Sequence, residues 1–288
     1  PADKGYYGKN YNTQNGESGV EVFNSVGLYR KKFKIKKTDK NILTFLGVSS
    51  CAQLYVNGFY VGYFEGSHNT HEFDITQYLF DGEKENEIVA LVYKWCNGTY
   101  LECQNMFRSN GIFRDVYVTS YKENYIWDYK FTTYRIEKDK YRLSIDVSAV
   151  KTIEAQTVCT LCCGEEELES KVGSQAEFDL TDPKLWSAET PDLYTVYIQL
   201  VVDGKVIECI RQEIGIKTIN IVGNVFYFND KAIKLKGVNH HDTNEKNGYV
   251  MTAEELKADV DLMKELNVNA VRTSHYPPDP IMLKIANY

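Results

Sequence analysis

The sequence lacks a long apolar run and an excess of basic residues. No stretch approaches the ~20 consecutive apolar residues that a membrane-spanning helix needs. Lys and Arg number 33 against 40 Asp and Glu, which leaves a net charge of −7 and a pI near 5.4. A modestly acidic chain lacks the basic footprint that binds nucleic acids or anionic membranes. We therefore expect no nucleic-acid partner and no membrane partner.

The cysteines do not form a disulfide framework. There are seven of them in 288 residues, an odd number in a long chain, and no signal peptide is visible. This predicts reduced thiols and a cytoplasmic protein. Cys159, Cys162 and Cys163 form the one cluster, but no second pair of ligands follows at metal-binding spacing. A strand that packs its thiols inward is the better interpretation.

Proline is scarce and aromatic residues are abundant. The chain holds 6 Pro beside 22 Tyr and 13 Phe. Aromatic and β-branched side chains favour strands, so the composition predicts a β-rich protein. The length predicts two domains, or three small ones.

The first region, residues 1–121, predicts a jelly-roll β-sandwich. After an irregular lead-in, Phe33 and Ile35 alternate with lysines as in a half-buried strand. Asn57-Gly58 lies between two alternating runs and predicts a hairpin with a type I′ turn. Further short strands follow at close spacing, as in a sandwich or jelly roll: 42–48, 71–75, 87–94 and 112–120.

The second region, residues 122–219, predicts an immunoglobulin-like β-sandwich. About 100 residues with roughly seven short strands fit that fold. The predicted strands are 126–136, 141–150, 157–163, 193–202 and 206–215. Asp203-Gly204 predicts a hairpin turn. The acidic run Glu165–Glu167 is interpreted as a solvated turn.

The third region, residues 220–288, predicts the opening βα unit of a truncated TIM barrel. A hairpin around Asn229-Asp230 joins predicted strands 225–228 and 233–236. Thr252 and Glu255 form a capping box for a helix. Its apolar stripe is Leu256, Val260, Met263 and Leu266, and a short strand follows at 269–272. One such unit cannot bury both faces of its sheet, so we expect the chain to be part of a longer protein.

Polar residues follow two strands of this third region. Gly237–Asp242 brings His240 and His241, and Arg272–Pro277 brings His275. Active-site groups of βα barrels lie at the carboxyl ends of the strands, so these loops are candidates for a pocket wall. The alternative, that these histidines are ordinary loop residues, stays open at this point.

The same stretches resemble glycoside hydrolase family 2, in its β-galactosidase branch. The resemblance is carried by 237–242 and 269–277, and in the first region by 61–63, 71–76, 98–102 and 111–116. It implies a jelly-roll sugar-binding domain, an immunoglobulin-like domain and a (β/α)8 catalytic barrel. It also implies hydrolysis of terminal, non-reducing β-D-galactosides with retention.

The resemblance implies roles for five residues. Asn24 matches an asparagine that contacts galactose, and His241 and His275 match histidines that hydrogen-bond the sugar hydroxyls. Arg272 matches an arginine of the pocket floor. Asn105 stands where the branch commonly has an aspartate bound to sugar and sodium, and Phe107 where tryptophan is usual. A neutral amide in place of the carboxylate puts the sodium site in doubt.

The resemblance assigns no catalytic residue to this chain. Both carboxyl groups of the family, and its magnesium ligands, come from barrel strands beyond residue 288. Glu17, Asp242 and Glu245 are interpreted as solvated carboxylates. We therefore expect these 288 residues to be inactive alone. The resemblance implies a whole protein that is a homo-oligomer, binds magnesium, takes galactosides and has a candidate sodium ligand in Asn105. The alternatives are a β-glucuronide or β-mannoside substrate, and a non-catalytic carbohydrate-binding module.

Overall fold

The computed structural model describes residues 24–102 and 105–288, and these form two compact units. The first holds the residues up to Ser120 together with Asn239–Leu256 and Thr273–Met282. The second holds Tyr121–Val238, Lys257–Arg272 and Leu283–Tyr288. None of the described helices combines the length and apolar character needed to cross a bilayer.

The first unit contains two antiparallel sheets and a short third pair of strands. One sheet has the order β1-β7-β4-β5, another has β6-β2-β9, and β3 pairs with β8. This is the predicted jelly-roll sandwich. The strands are β1 (Val26–Ile35), β2 (Lys40–Phe45), β3 (Val48–Ser49), β4 (Cys51–Val56), β5 (Phe59–Glu65), β6 (His71–Asp74), β7 (Gly82–Tyr93), β8 (Gly111–Ile112) and β9 (Val116–Tyr121).

The hairpin between β4 and β5 is confirmed at Asn57-Gly58. These two residues have φ values of 50° and 83°, as a type I′ turn requires. The predicted strand 112–120 is divided, because β8 ends at Ile112 and β9 begins at Val116. A core of buried side chains holds the two larger sheets together, among them Leu43, Phe45, Leu54, Phe64, Ala90 and Val92.

The second unit contains the predicted seven-stranded, immunoglobulin-like sandwich. Its sheets have the orders β10-β11-β14 and β13-β12-β15-β16. A core that includes Leu143, Phe178, Val196 and Leu200 lies between them. The strands are β10 (Tyr125–Glu137), β11 (Lys140–Val150), β12 (Gln156–Cys163), β13 (Glu166–Val172), β14 (Gln175–Thr181), β15 (Tyr194–Val202) and β16 (Lys205–Ile214).

Two details of this sandwich bear on the sequence predictions. Cys159 lies in the core and Cys163 packs against it, as the inward-packing interpretation expects, whereas Cys162 is buried but is not part of that core cluster. The interpretation of Glu165–Glu167 as a turn is wrong beyond Glu165, because β13 begins at Glu166. Six of the seven residues of this strand are exposed, including all of its glutamates, so the strand carries them without burying their charges.

The remaining strands are short. They are β17 (Ile219–Val222), β18 (Val225–Phe228), β19 (Lys231–Ala232), β20 (Gly237–His240) and β21 (Ala270–Thr273). The predicted strand 233–236 is wrong. The Asn269 side chain accepts from the Lys236 N–H at 2.7 Å and donates to the Lys234 carbonyl at 3.0 Å, which replaces strand pairing there. The hairpin partner of β18 is instead β19, and the next strand, β20, begins at Gly237.

The helices are α1 (Thr99–Glu102), α2 (Ala253–Glu265) and α3 (Pro280–Ile285). The capping box of α2 is confirmed: the Thr252 N–H donates to Glu255 at 2.8 Å, and the Glu255 N–H donates to the Thr252 hydroxyl at 3.2 Å. In the predicted apolar stripe, Leu256 is buried and Leu266 is 68% exposed. The strand–helix–strand order of an opening βα unit is present. The predicted domain boundaries, after residues 121 and 219, stay predictions.

Candidate functional site

The structure brings His241 and His275 together. His241 follows β20 and His275 follows β21, and the Ser274 N–H donates to the His240 carbonyl at 3.0 Å, which holds the two strand ends side by side. The ring centroids of the two histidines lie 5.6 Å apart, and the ring planes are nearly perpendicular at 85°. His241 is half-buried and His275 is exposed. The two rings therefore line one polar surface.

Tyr276 orients the His241 ring through its hydroxyl. Its hydroxyl lies 3.3 Å from Nδ1 of His241. Burial raises the pKa of Tyr276 to about 12, so the phenol keeps its proton. Burial, His275 and His240 together lower the pKa of His241. A neutral imidazole whose Nδ1 accepts from the phenol carries its own proton on Nε2, which is then free to donate to a ligand.

Tyr276 is itself held by His68 of the first unit. The His68 ring stacks on the Tyr276 ring with centroids 3.7 Å apart and planes 14° apart. Phe113 and Tyr249 pack around the same imidazole. Burial and the nearby Arg114 guanidinium lower the pKa of His68 to about 3. The stack therefore consists of two neutral rings at neutral pH.

A buried ion pair anchors the loop that carries His241. Arg114 donates to Asp242 at 2.9 Å, and the two side chains are 4% and 6% exposed. Arg114 also donates to the Pro277 carbonyl at 2.9 Å. Asp242 accepts from the Asp279 N–H at 2.7 Å. One guanidinium and one carboxylate thus tie together the loops after β20 and β21.

Asp242 is a structural carboxylate. Burial opposes its ionisation, but the His240 ring 3.5 Å away, the hydrogen bond from the Asp279 N–H and the nearby Arg114 hold its pKa below the usual range. The interpretation of Asp242 as a solvated side chain is wrong, because the carboxylate is buried against Arg114. Arg114 is distant in sequence, so the local pattern could not indicate this partner. With its oxygens engaged, it is not available as a catalytic acid or nucleophile.

A cavity of about 230 Å³ lies in the same unit. Its wall includes Ser50, Trp95, Thr99 and the segment from Met106 to Asn110. Asn24 is exposed and anchors the Trp95 backbone, donating to its carbonyl at 2.8 Å and accepting from its N–H at 2.9 Å. This bonding positions Asn24 beside the cavity wall.

No described contact links Asn105 or Arg272 to the histidine pair. Asn105 is exposed, with φ of 50°, and its neighbour Met106 lines the cavity. Arg272 is exposed and belongs to the second unit. The roles of Asn24, Asn105, His241, Arg272 and His275 in sugar binding stay predictions.

For Asn105, sodium binding stays a prediction. Its side chain is solvent-exposed and offers a single neutral oxygen, whereas a hard cation is held by several oxygen ligands. Across residues 24–102 and 105–288 no group of three or more His, Cys, Asp or Glu is arranged to hold a metal ion.

Sequence reasoning missed three residues that support the site: His68, Arg114 and Tyr276. Two of them lay inside stretches already singled out, since Arg114 is in 111–116 and Tyr276 is in 272–277. The pattern showed that these stretches matter without showing what each side chain contacts. For His68 no sequence signal was available, because its partners come from distant parts of the chain.

Family comparisons match nearly the whole chain. Residues 4–122 match the model described as "Glycosyl hydrolases family 2, sugar binding domain". Residues 113–217 match "Glycosyl hydrolases family 2", and residues 219–288 match "Glycosyl hydrolases family 2, TIM barrel domain". The three matches follow one another in the order that the sequence predicted.

Curated relatives carry a consistent description. The chain is 39% identical to a β-galactosidase of Staphylococcus xylosus over 92% of this chain and 26% of that protein. It is 36% identical to a β-galactosidase of Actinobacillus pleuropneumoniae over 89% of this chain and 25% of that protein. The chain therefore spans about a quarter of the length of these relatives.

Solved structures share the fold. A β-glucuronidase from Ruminococcus gnavus in complex with D-glucaro-δ-lactam matches with a TM-score of 0.83 and 24% identity. The match covers 92% of this chain and 49% of that one. At this identity the match supports the fold and not the substrate.

Proposed function

This chain belongs to glycosyl hydrolase family 2, and we propose that it supplies the sugar-holding part of a retaining β-galactosidase. The proposed substrates are terminal, non-reducing β-D-galactosides. The β-galactosidase relatives at 32–39% identity support this substrate class. The jelly-roll and immunoglobulin-like sandwiches and the opening βα unit are the architecture that this family requires.

The pair His241 and His275 carries the proposal. Two perpendicular imidazoles with centroids 5.6 Å apart present donors and acceptors in two directions. A pyranose ring offers neighbouring hydroxyls, each of which is both a donor and an acceptor. Since His241 is held neutral and its Nδ1 faces Tyr276, its Nε2–H is available for a sugar hydroxyl.

The other predicted contacts come from the first unit and from β21. Asn24 offers an exposed amide beside the cavity wall, and Asn105 is proposed to close the site next to it. Arg272, at the end of β21, is proposed to shape the pocket floor. Hydrogen bonds to sugar hydroxyls that strengthen as the ring distorts contribute to transition-state stabilisation.

The bond-breaking groups are proposed to lie outside this chain. A retaining glycosidase needs two carboxyl groups ~5–5.5 Å apart, one as acid/base and one as nucleophile. Beside the histidine pair, Asp242 is engaged by Arg114 and by the Asp279 N–H. Magnesium is proposed as a cofactor of the whole protein.

The whole protein is proposed to be a cytoplasmic homo-oligomer. The free state of the described cysteines agrees with a reducing compartment. For the oligomeric state, the support is the resemblance to the bacterial β-galactosidases.

A sugar titration of the 288-residue chain tests this function. Methyl β-D-galactoside, β-D-glucuronide and β-D-mannoside are added in turn while the ring C–H signals of His241 and His275 are followed by NMR. We expect saturable shifts with the galactoside and much smaller shifts with the other two sugars. His241→Ala and His275→Ala should each weaken the response. His71→Ala, which changes a ring packed on Phe64, is the matched control.

The same titration separates the alternatives. Preferential binding of the glucuronide or mannoside would move the substrate to that class, and absence of any shift would remove the sugar-holding role. A parallel assay with 4-nitrophenyl β-D-galactoside should show no turnover by this chain. Turnover by the purified chain would show that its own carboxylates are sufficient for catalysis.

A further inference from the structure

Two cysteines that are distant in sequence meet in the first unit. Cys51 begins β4, and Cys96 follows the end of β7. The antiparallel pairing of these strands sets Cys51 opposite Tyr93, and the Ser50 N–H donates to the Tyr93 carbonyl at 3.4 Å. The chain just beyond Tyr93 therefore returns to the start of β4. Both cysteines are free thiols.

The contacts of the Cys96 sulfur show how close the two side chains are. Its Sγ lies 3.0 Å from the Ser50 hydroxyl and 3.7 Å from the Ser50 carbonyl oxygen, immediately before Cys51 in the chain. It also lies 3.5 Å from the Thr99 hydroxyl. This places Cys96 beside Cys51, and the Cys96 thiol is among the groups that raise the pKa of Cys51.

Two further polar groups close the cluster. The Tyr63 hydroxyl donates to Glu65 at 3.2 Å, and both Tyr63 and Glu65 influence the pKa of the Cys51 thiol. Among the described residues, no group of three or more His, Cys, Asp or Glu is arranged to hold a metal ion. This holds for the cluster around Cys51 and Cys96 as well. The chemistry left to two thiols in contact is oxidation to a disulfide.

We propose that Cys51 and Cys96 are a reversible oxidation site, with a low-molecular-weight disulfide such as oxidised glutathione as the oxidant. The half-buried Cys96 sulfur attacks the glutathione disulfide, releasing one reduced glutathione and forming a mixed disulfide. The sulfur of Cys51, only 2% exposed, then attacks the Cys96 sulfur and releases the second glutathione. Two protein S–H bonds and one S–S bond are exchanged for one protein S–S bond and two glutathione S–H bonds.

The second step is expected to be slow near neutral pH. Burial raises the pKa of the Cys51 thiol to about 11, and the thiolate is the attacking species. The groups that face it, Tyr63, Cys96 and Glu65, add no positive charge that would stabilise a thiolate. The site is therefore suited to a slow response to sustained oxidation.

Oxidation is expected to change the wall of the 230 Å³ cavity. A disulfide holds its sulfurs at ~2.05 Å, so the Cys96 sulfur must move toward Cys51. That movement takes it away from the hydroxyls of Ser50 and Thr99, which bond each other and both line the cavity. Trp95, adjacent to Cys96, lines the same wall and provides a fluorescence signal.

Thiol counting and peptide mapping test the proposal. The reduced 288-residue chain has seven thiols. After incubation with oxidised glutathione at mildly alkaline pH, we expect two thiols to be lost and a non-reduced Cys51–Cys96 peptide pair to be found. Dithiothreitol should restore both thiols. Cys51→Ser and Cys96→Ser should each abolish the pair, and Cys209→Ser, at an exposed cysteine, should leave it unchanged.

Three results would overturn the proposal: all seven thiols persisting, a linkage between any other two cysteines, or glutathione remaining on Cys96 without closure. Where a serine variant fails to fold, the mapping on the unsubstituted chain and on Cys209→Ser decides. The result does not depend on sugar binding, so the proposed function and this site can fail separately.

Discussion

Arg114 and Asp242 form an ion pair with their charged groups 2.9 Å apart and both side chains more than nine-tenths buried. Arg114 precedes β9 of the jelly roll, whereas Asp242 lies in the loop after β20, next to His241. Because the same guanidinium donates to Pro277, the ion pair positions both histidine-bearing loops. The geometry of the candidate site therefore depends on a residue that is not predicted to touch a ligand.

Removing the arginine should destabilise the first unit. In Arg114→Met the Asp242 carboxylate stays buried without its partner, and such losses cost roughly 3–5 kcal/mol. Hydrogen exchange at the core amides of Leu43 and Val92 measures the free energy of opening. The matched control is Arg30→Met in the same unit, which breaks an exposed pair with Glu87 and should have a much smaller effect. Equal effects of the two changes would contradict a special role for the buried pair.

Acid should destabilise the first unit through His68. Its pKa is 6.5 in an unfolded chain and about 3 in the folded one, so the unfolded state binds a proton that the folded state does not. The stabilisation is complete above pH 6.5 and is lost as the pH falls from 6.5 to 3, by on the order of 5 kcal/mol. Unfolding followed by urea at several pH values measures this slope.

The variant His68→Phe isolates that contribution. Phenylalanine keeps an aromatic ring against Tyr276 and cannot take up a proton. We expect a flatter dependence of stability on pH between 6.5 and 3. The carboxyl of Asp242, whose pKa is lowered, should still lose its contribution below about 3.8. An unchanged slope in His68→Phe would show that the acid sensitivity comes from other groups.

Tyr276→Phe should weaken sugar binding without unfolding the site. The change removes the hydroxyl that lies 3.3 Å from His241 Nδ1 and keeps the ring stacked on His68. A hydrogen bond of this kind contributes about 1 kcal/mol, so the affinity for methyl β-D-galactoside should fall roughly fivefold. The NMR titration measures the affinity. Tyr29→Phe on β1 is the control. An affinity unaffected by Tyr276→Phe would show that sugar binding by His241 does not depend on the Tyr276 hydroxyl.

Asn86→Ala should destabilise the jelly roll. Asn86 is fully buried, accepts from Asn57 at 2.8 Å and from the Phe80 N–H at 2.7 Å, and donates to the Phe80 carbonyl at 2.9 Å. Each buried group left unpaired costs about 1–3 kcal/mol. Asn110→Ala, which removes a single exposed bond, is the control. Similar unfolding midpoints for the two variants would argue against this network as a main support of the β4–β5 hairpin.

The sequence predicted well wherever local patterns decide the structure. Asn57-Gly58 specifies its turn through backbone preferences of two residues, and the Thr252–Glu255 box specifies a helix start within one turn. It failed at Ile233–Lys236, where alternation suggested a strand and the Asn269 side chain took the backbone hydrogen bonds instead. The local pattern carries no information about a side chain that belongs to a distant segment.

What the sequence by itself determined is the order of the two sandwiches and the βα unit, and the two strands that deliver His241 and His275. Periodicity, turn residues and composition act over a few neighbouring residues, so they can be read without coordinates. Only the tertiary structure decided that Arg114 holds Asp242, that His68 stacks on Tyr276 and that Cys96 meets Cys51. These contacts join segments far apart along the chain, and their strength comes from burial, which exists only once the whole unit has packed.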